Sequence, residues 1–328
     1  MGMNIFKSDR CKIVNKNNIN YYTIEHLEEV QHEMLRLLNI VDSICVKNNI
    51  NYWIDGGTLI GALRHKGFIP WDDDIDIELI KSDYLKLIDY LEDYCKNNSD
   101  TYLLFSGNNK YNHCCNFLAS SINLYGRMKG EIGLFPIKLD IRPVNVISNN
   151  KTEIEHNNKL RDIANYYIFG NTHLYNINEL GLNGKTKEDK RNFLKWYNTN
   201  YGLETCNGND TVFRHPYYEF SNNANFDESY FFPTKRVCFN GIMTSVPNKA
   251  DRYLSELYGN YMEYPQLIQR APMAYEYISI NTNINLISNI RILTLHTDLH
   301  NKYKGLFIFI KLVGIVKFIK IIYERYAK

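Results

Sequence analysis

The sequence has no C-x-x-C pair, no surplus of either charge and no internal repeat, and each absence narrows what it encodes. Its cysteines (Cys11, Cys45, Cys95, Cys114, Cys115, Cys206 and Cys238) are odd in number and scattered, the pattern of a reduced, intracellular chain. Cys114 and Cys115 are adjacent, but no second Cys or His pair stands at ligand spacing, so a buried strand is favoured there over a zinc site. The 38 basic and 36 acidic residues leave a net charge of +2, which excludes a polybasic nucleic-acid binder and an acidic disordered chain. Residues 1–10 have no apolar core of the kind a secretory signal needs, so none is expected. Phe6 stands where myristoylation of Gly2 would want Ser or Thr.

What is present suffices for a substantial core. The 328 residues are 45% apolar and 14% aromatic, enough for one large domain or two modest ones without covalent staples. Residues 1–22 read as a polar arm. From Thr23, a candidate cap, the residues Leu27, Val30, Met34, Leu37, Leu38, Val41 and Ile44 recur at helical steps, and Asn48-Asn49 can end that helix. Residues 50–54 read as a strand, 58–65 as two helical turns closed by Gly67, 75–80 as a strand and 84–94 as an amphipathic helix. Further strands are predicted at 102–105, 116–124 and 134–146. Residues 147–235 are polar and Asn-rich, with helical stretches near 159–169 and 188–201, and another short helix spans 250–258. Alternation of helices and strands over the first half argues α/β or α+β architecture. The organisation expected is an arm (1–22), a core (23–146), a helical and irregular region (147–303) and a basic C-terminal segment (304–328).

The dense chemistry lies between Asp55 and Ile77. If 74–79 is a strand, Asp74 and Asp76 share one face while Ile75, Ile77 and Leu79 face the core. Neighbouring carboxylates on a rigid strand repel each other unless a cation sits between them, and hard oxygen ligands suit Mg²⁺ or Mn²⁺. A solvated acidic turn is the alternative. An EF-hand is excluded, because the sixth position from Asp72 is Ile77 rather than Gly. Gly56-Gly57 ends a strand and opens a helix at Thr58, which lets backbone N–H groups approach phosphate oxygens; a plain tight turn explains the pair equally. Arg64, His65 and Lys66 either neutralise a diphosphate or complement the helix dipole. Alternation over 137–143 puts Lys138, Asp140 and Arg142 on one face, with Asp140 either a third metal ligand or half of a structural ion pair.

The run from Gly56 through Arg64-His65, Pro70-Trp71 and the aspartates to Asp76 closely resembles the signature of the LicD family, related to the fukutin group. Gln31 and the stretch from Cys45 to Trp53 resemble that family's approach to it, Asp140-Ile141-Arg142-Pro143 a family D-I-x-P, and residues 246–265 its C-terminal signature. The resemblance implies a nucleotidyltransferase-like mixed sheet flanked by helices, with a helical C-terminal portion. It implies a metal-dependent transferase that moves a phospho-alcohol, such as phosphocholine or a phospho-polyol, from a CDP-activated donor to a cell-surface glycan or lipid-linked glycan. Asp74, Asp76 and Asp140 become metal ligands for Mg²⁺ (or Mn²⁺), with Asp76 or Asp140 orienting the acceptor hydroxyl. Gly56, Gly57 and Thr58 cradle phosphate, with Arg64, His65 and Lys66 nearby. Trp53, Trp71 and Tyr258 either hold a choline head by cation–π contact or pack in the core. Asn240, where the family often has Glu, and Ser120-Ser121, where it tends to carry a basic residue, depart from the pattern. A true nucleotidyltransferase releasing pyrophosphate, or a non-catalytic ion-binding scaffold, are the alternatives.

Residues 305–322 read GLFIFIKLVGIVKFIKII, with Ile308, Phe309, Leu312, Ile315, Val316 and Ile319 in one uncharged helical arc flanked by Lys304, Lys311, Lys317 and Lys320. Mid-segment lysines make spanning costly, so an interfacial helix at the inner, cytoplasmic face of a membrane, or a core or dimer helix covered by the rest of the fold, is expected.

Overall fold

The computed structural model describes residues 11–99, 101–106, 116–128, 135–169, 177–200, 211–214 and 226–280. In chain order the elements are β1 (Lys12–Lys16), β2 (Ile19–Thr23), α1 (Leu27–Asn48), β3 (Trp53–Ile54), α2 (Gly56–His65), β4 (Asp76–Ile80), α3 (Lys81–Asn97), β5 (Tyr102–Ser106), β6 (Asn116–Met128) and β7 (Phe135–Ser148). There follow α4 (Lys151–Phe169), α5 (Ile177–Leu180), α6 (Lys187–Asn200), β8 (Thr211–Arg214), β9 (Lys235–Phe239), β10 (Ile242–Val246), α7 (Ala250–Tyr258) and β11 (Tyr275–Ile280). The fold is α+β. Its main sheet runs β11-β6-β7-β4-β3, with β5 also pairing β6 and β8 pairing β7. Among the described residues only β4 and β7 pair in parallel; the other pairs of this sheet are antiparallel. The predicted C-terminal helix at 304–328 and the Cys114-Cys115 strand lie outside the described residues, as does most of 201–225.

Helix α1 packs its predicted stripe against the sheet. Leu27, Val30, Met34, Leu37, Leu38, Val41 and Cys45 are buried, each such large apolar side chain contributing about 1.5–3 kcal/mol. Ile44 is only partly covered, and Cys45 takes the innermost place. The helix starts later than expected: His26, at φ 63°, precedes it, and the Thr23 hydroxyl donates to the Ile24 carbonyl instead of capping. Asn49 ends it as foreseen, left-handed at φ 53°, and the following Ile50 N–H returns to the Cys45 carbonyl at 2.9 Å.

The expected arm is a hairpin over its described part. Asn17 and Asn18 both have positive φ (54° and 64°), as a two-residue primed turn requires, and β1 pairs with β2 in register Lys16↔Ile19. Tyr21 from this hairpin is buried against Ile69 and Trp71, so it covers the loop before the acidic run. The polar region beyond β7 folds as α4, α5 and α6 around a small core of its own: Ala164, Tyr167, Leu182, Leu194 and Tyr197.

Two close approaches shape the loop between α2 and β4. A Cβ on Gly61 would lie 2.5 Å from the Gly67 carbonyl, so only glycine lets the chain double back there. Lys66, at φ 58°, rather than Gly67, makes the reversal. Asn240, at the turn of the β9–β10 hairpin, accepts the Phe68 N–H on Oδ1 at 2.8 Å and donates its own N–H to the Lys66 carbonyl at 3.0 Å. The residue that departs from the family pattern thus pins this loop.

Candidate active site

Strand β4 is short and buried on both faces. Ile77 and Leu79 face the core, while Asp76 and Glu78 occupy the other face at 8% and 0% exposure. Parallel pairing with β7 sets Asp76 opposite Asp140 and Glu78 opposite Arg142. The Asp140 N–H donates to the Ile75 carbonyl at 2.9 Å, which fixes that register. On β7, Ile137, Leu139 and Ile141 are fully buried in the core while Lys138, Asp140 and Arg142 lie on the opposite face. The ladder of β4 begins at Asp76, so Asp74 sits on the extended approach to the strand and not within it as expected. It nevertheless reaches the same place, because Asp140, Lys138 and Arg142 all act on its carboxyl.

The first turn of α2 abuts this cluster. The Asp55 N–H donates to the Asp76 carbonyl, and the Asp76 N–H donates to Thr58 Oγ1, both at 3.1 Å. Gly56 has φ 55°, where a side chain is strained, and a Cβ on it would lie 3.6 Å from Asp76 Oδ2. A Cβ on Gly57 would lie 3.1 Å from Asp72 Oδ2. The two glycines therefore bring the helix N-terminus against the carboxylates. Thr58, expected to touch phosphate, is 1% exposed and spends its hydroxyl tying α2 to β4.

Arg64, His65 and Lys66 close the other end of α2. Arg64 donates from Nη1 to the carbonyls of Tyr261 (2.7 Å) and Glu263 (3.1 Å), and its guanidinium lies 4.9 Å from the Tyr264 ring centre. Burial and the Arg64 charge hold the His65 imidazole down to about 4, so it is neutral at pH 7. Its folded value lies below the usual 6.5, so stability present above that pH is lost as pH falls through 6.5 toward 4. After solvent screening the effect is on the order of 1 kcal/mol. His65→Gln is expected to flatten the fall of the thermal midpoint between pH 7 and pH 5; an unchanged slope would show another group responsible.

Electrostatically the cluster is overloaded with acid. Burial foremost, then neighbouring carboxylates, raises Asp72, Asp74, Asp76 and Glu78 above the ordinary carboxylate range. Asp72 and Asp74 crowd each other, as do Asp55 and Glu78. Against them stand two cations: Lys138 pairs with Asp140, and Arg142 pairs with Asp76 at 2.5 Å. The sequence reading missed Asp55, Asp72 and Glu78. Period-two alternation from Asp76 was the signal for Glu78, and Asp55 directly precedes the glycines.

Hard oxygen donors in excess of their counter-charges suit a divalent cation chemically. Among the described residues, no three His, Cys, Asp or Glu side chains are already gathered to take one ion. Lys138 and Arg142 pair with the carboxylates of Asp140 and Asp76. Of the aromatic candidates, Trp53 is fully buried against Phe231 and Phe232, and Trp71 is 6% exposed beside Tyr21. Both pack in the core. Tyr258 is 52% exposed, and its hydroxyl reaches the Gly56 turn. No helix of the described residues is long and apolar enough to cross a membrane.

Comparison with known proteins falls on this region. Residues 49–114 match the LicD/FKTN/FKRP nucleotidyltransferase domain. The lipopolysaccharide cholinephosphotransferase LicD of Haemophilus influenzae is 48% identical over 63 residues, 19% of this chain and 24% of that protein. An uncharacterized protein of Rickettsia prowazekii is 46% identical over 54 residues, 16% of this chain and 20% of its own length. The human ribitol 5-phosphate transferase FKRP is 47% identical over 34 residues, 10% of this chain and 7% of its own. The similarity thus spans about a quarter, or less, of these relatives.

Proposed function

We propose that the protein transfers a phospho-alcohol from a CDP-activated donor to a glycan acceptor, a reading supported by the match of residues 49–114 to the LicD/FKTN/FKRP nucleotidyltransferase domain. The observation that carries this reading is the parallel pairing of β4 with β7, which sets Asp76 opposite Asp140 while the Gly56 turn lies against Asp76. A helix N-terminus that accepts anions, directly beside crowded carboxylates, suits a diphosphate with its counter-cation. Two relatives, named for cholinephosphate and ribitol 5-phosphate transfer, support the phospho-alcohol class.

Asp74, Asp76 and Asp140 are the residues that would hold Mg²⁺ or Mn²⁺. When bound, the ion would neutralise charge on the donor diphosphate and on the departing cytidylate. The chain's own residues do the rest. Gly56 and Gly57 let the backbone come close to the phosphates, and Thr58 holds that turn against β4. Lys138 and Arg142 tether Asp140 and Asp76 and add positive charge beside the transferring group. One carboxylate, Asp76 or Asp140, orients the acceptor hydroxyl and takes its proton. The uncharged arc of 305–322, with its flanking lysines, would bring the protein to lipid-linked acceptors at a cytoplasmic membrane surface.

The test is to incubate the full-length protein with Mg²⁺, CDP-choline, CDP-ribitol or CDP-glycerol and a glycan or lipid-linked glycan acceptor. Acceptor-dependent release of CMP is expected. Release of pyrophosphate from a nucleoside triphosphate would instead establish nucleotide transfer, and inertness toward every donor would leave an ion-binding scaffold.

A further inference from the structure

Helix α7 ends at Tyr258, and Gly259, at φ 67°, turns the chain away from it. The Tyr258 hydroxyl lies 3.9 Å from the point where a Cβ on Gly56 would stand, and Asp76 Oδ2 lies 3.6 Å from that same point. The missing side chain of Gly56 thus leaves a gap with a phenol on one side and a carboxylate on the other. Tyr258 as a whole is half exposed, while its hydroxyl is the more enclosed end, turned in toward the Gly56 turn. Tyr253 on the same helix is different. It is fully buried, and its hydroxyl faces Asp55 and Glu78 in the interior.

The groups whose charges reach the Tyr258 hydroxyl are Asp55, Glu78, Asp76 and, in opposition, Arg142. Burial of the hydroxyl first, and then this excess of negative charge, keep the proton on the phenol, which acts as a donor. Among the described residues its hydroxyl makes no hydrogen bond. A donor at the rim of a helix N-terminus wants an acceptor that comes from outside, and phosphoryl oxygen is the anionic acceptor such a terminus attracts.

We propose that Tyr258 is a donor-binding residue whose hydroxyl hydrogen-bonds a phosphoryl oxygen of the diphosphate seated over Gly56. The assignment rests on the transfer reading above. A hydrogen bond to a charged oxygen is worth about a 10- to 100-fold change in affinity. Tyr258→Phe removes only the hydroxyl at the solvent-exposed end of a helix, so the fold persists.

The experiment titrates CDP calorimetrically, in saturating Mg²⁺, into the full-length wild type, Tyr258→Phe and Tyr258→Ala. Both variants are expected to bind CDP about 10-fold or more weakly, with KM for the CDP-alcohol rising more than kcat falls. If Phe matches wild type and only Ala is weakened, the ring and not the hydroxyl does the work, and the proposal is overturned. Identical titrations for all three, or no CDP binding by wild type, overturn it as well. Weakened binding in both variants by a wild type that releases no CMP would keep the Tyr258 assignment and sink the transfer reading. CMP release with unaltered CDP affinity in the variants would do the reverse.

Discussion

Asp140→Asn and Asp74→Asn are each expected to lower acceptor-dependent CMP release by at least about 1000-fold, with the fold intact. The physical reason is that both carboxylates lie in the one buried, acid-rich patch beside the phosphate-approaching turn, linked electrically to each other. An amide is a weaker ligand for a hard cation and cannot take a proton from an attacking hydroxyl. Losing several kcal/mol of charge stabilisation corresponds to a rate loss of this size. Removing one negative charge relieves repulsion within the cluster, so stability is retained, although Asp140→Asn leaves Lys138 without its ion-pair partner. Circular dichroism and a thermal melt verify the fold, and a discontinuous CMP assay at saturating Mg²⁺ measures the rate. Undiminished turnover in both variants would remove these aspartates from the site.

The second large effect is on stability. Asp73→Ala is expected to cost on the order of 3–6 kcal/mol, comparable to the net stability of a typical domain. Asp73 is fully buried and accepts backbone N–H groups from Met273 (2.8 Å), Ala274 (3.0 Å) and Tyr275 (2.7 Å). Burial first, and then the charge of Asp74, raises its carboxyl to about 6 against the pull of those donors, which leaves it ionised at pH 7. Alanine strands three amide donors, one buried at the start of β11 (Tyr275) and two part-buried just before it, the buried one costing about 1–3 kcal/mol and the others less. Denaturant unfolding at pH 7 reads the loss directly. A shift of the midpoint under about 1 kcal/mol would show that water reaches those amides. Asp73 thus sits between candidate ligands and yet belongs to the scaffold, holding the acidic run in place across two hundred residues of chain.

The helices were legible because their signals are local. Steps of three and four from Leu27 to Val41 place one face of α1 in the core whatever lies beyond it, and α7 runs over the predicted residues. Alternation over 137–143 likewise separates a core face from a charged face in any sheet. The long signature at 56–76 marked the candidate site, since paired glycines ahead of a run of acids are recognisable as a linear string. The hairpin at Lys12–Thr23 escaped because its turn is Asn-Asn and not the commoner Asn-Gly, and its apolar residues fall in adjacent pairs (Ile13-Val14, Tyr21-Tyr22) rather than alternating.

Tertiary structure alone decided what each acid does. No linear pattern tells that Asp76 and Asp140, far apart in sequence, are register partners; parallel pairing of β4 and β7 does that. Nothing in the run Asp72-Asp73-Asp74 separates the middle residue from its neighbours, but the extended backbone turns Asp73 toward the amides of β11 and Asp74 toward Asp140. Arg64 stands beside the glycine signature in the sequence, yet α2 and the 261–263 backbone claim its guanidinium. The sequence by itself determined which residues carry charge, which periods they follow and where paired glycines leave the backbone open. Which charges meet depended on strand order and backbone hydrogen bonds, because Coulombic interaction follows distance in space and not separation along the chain.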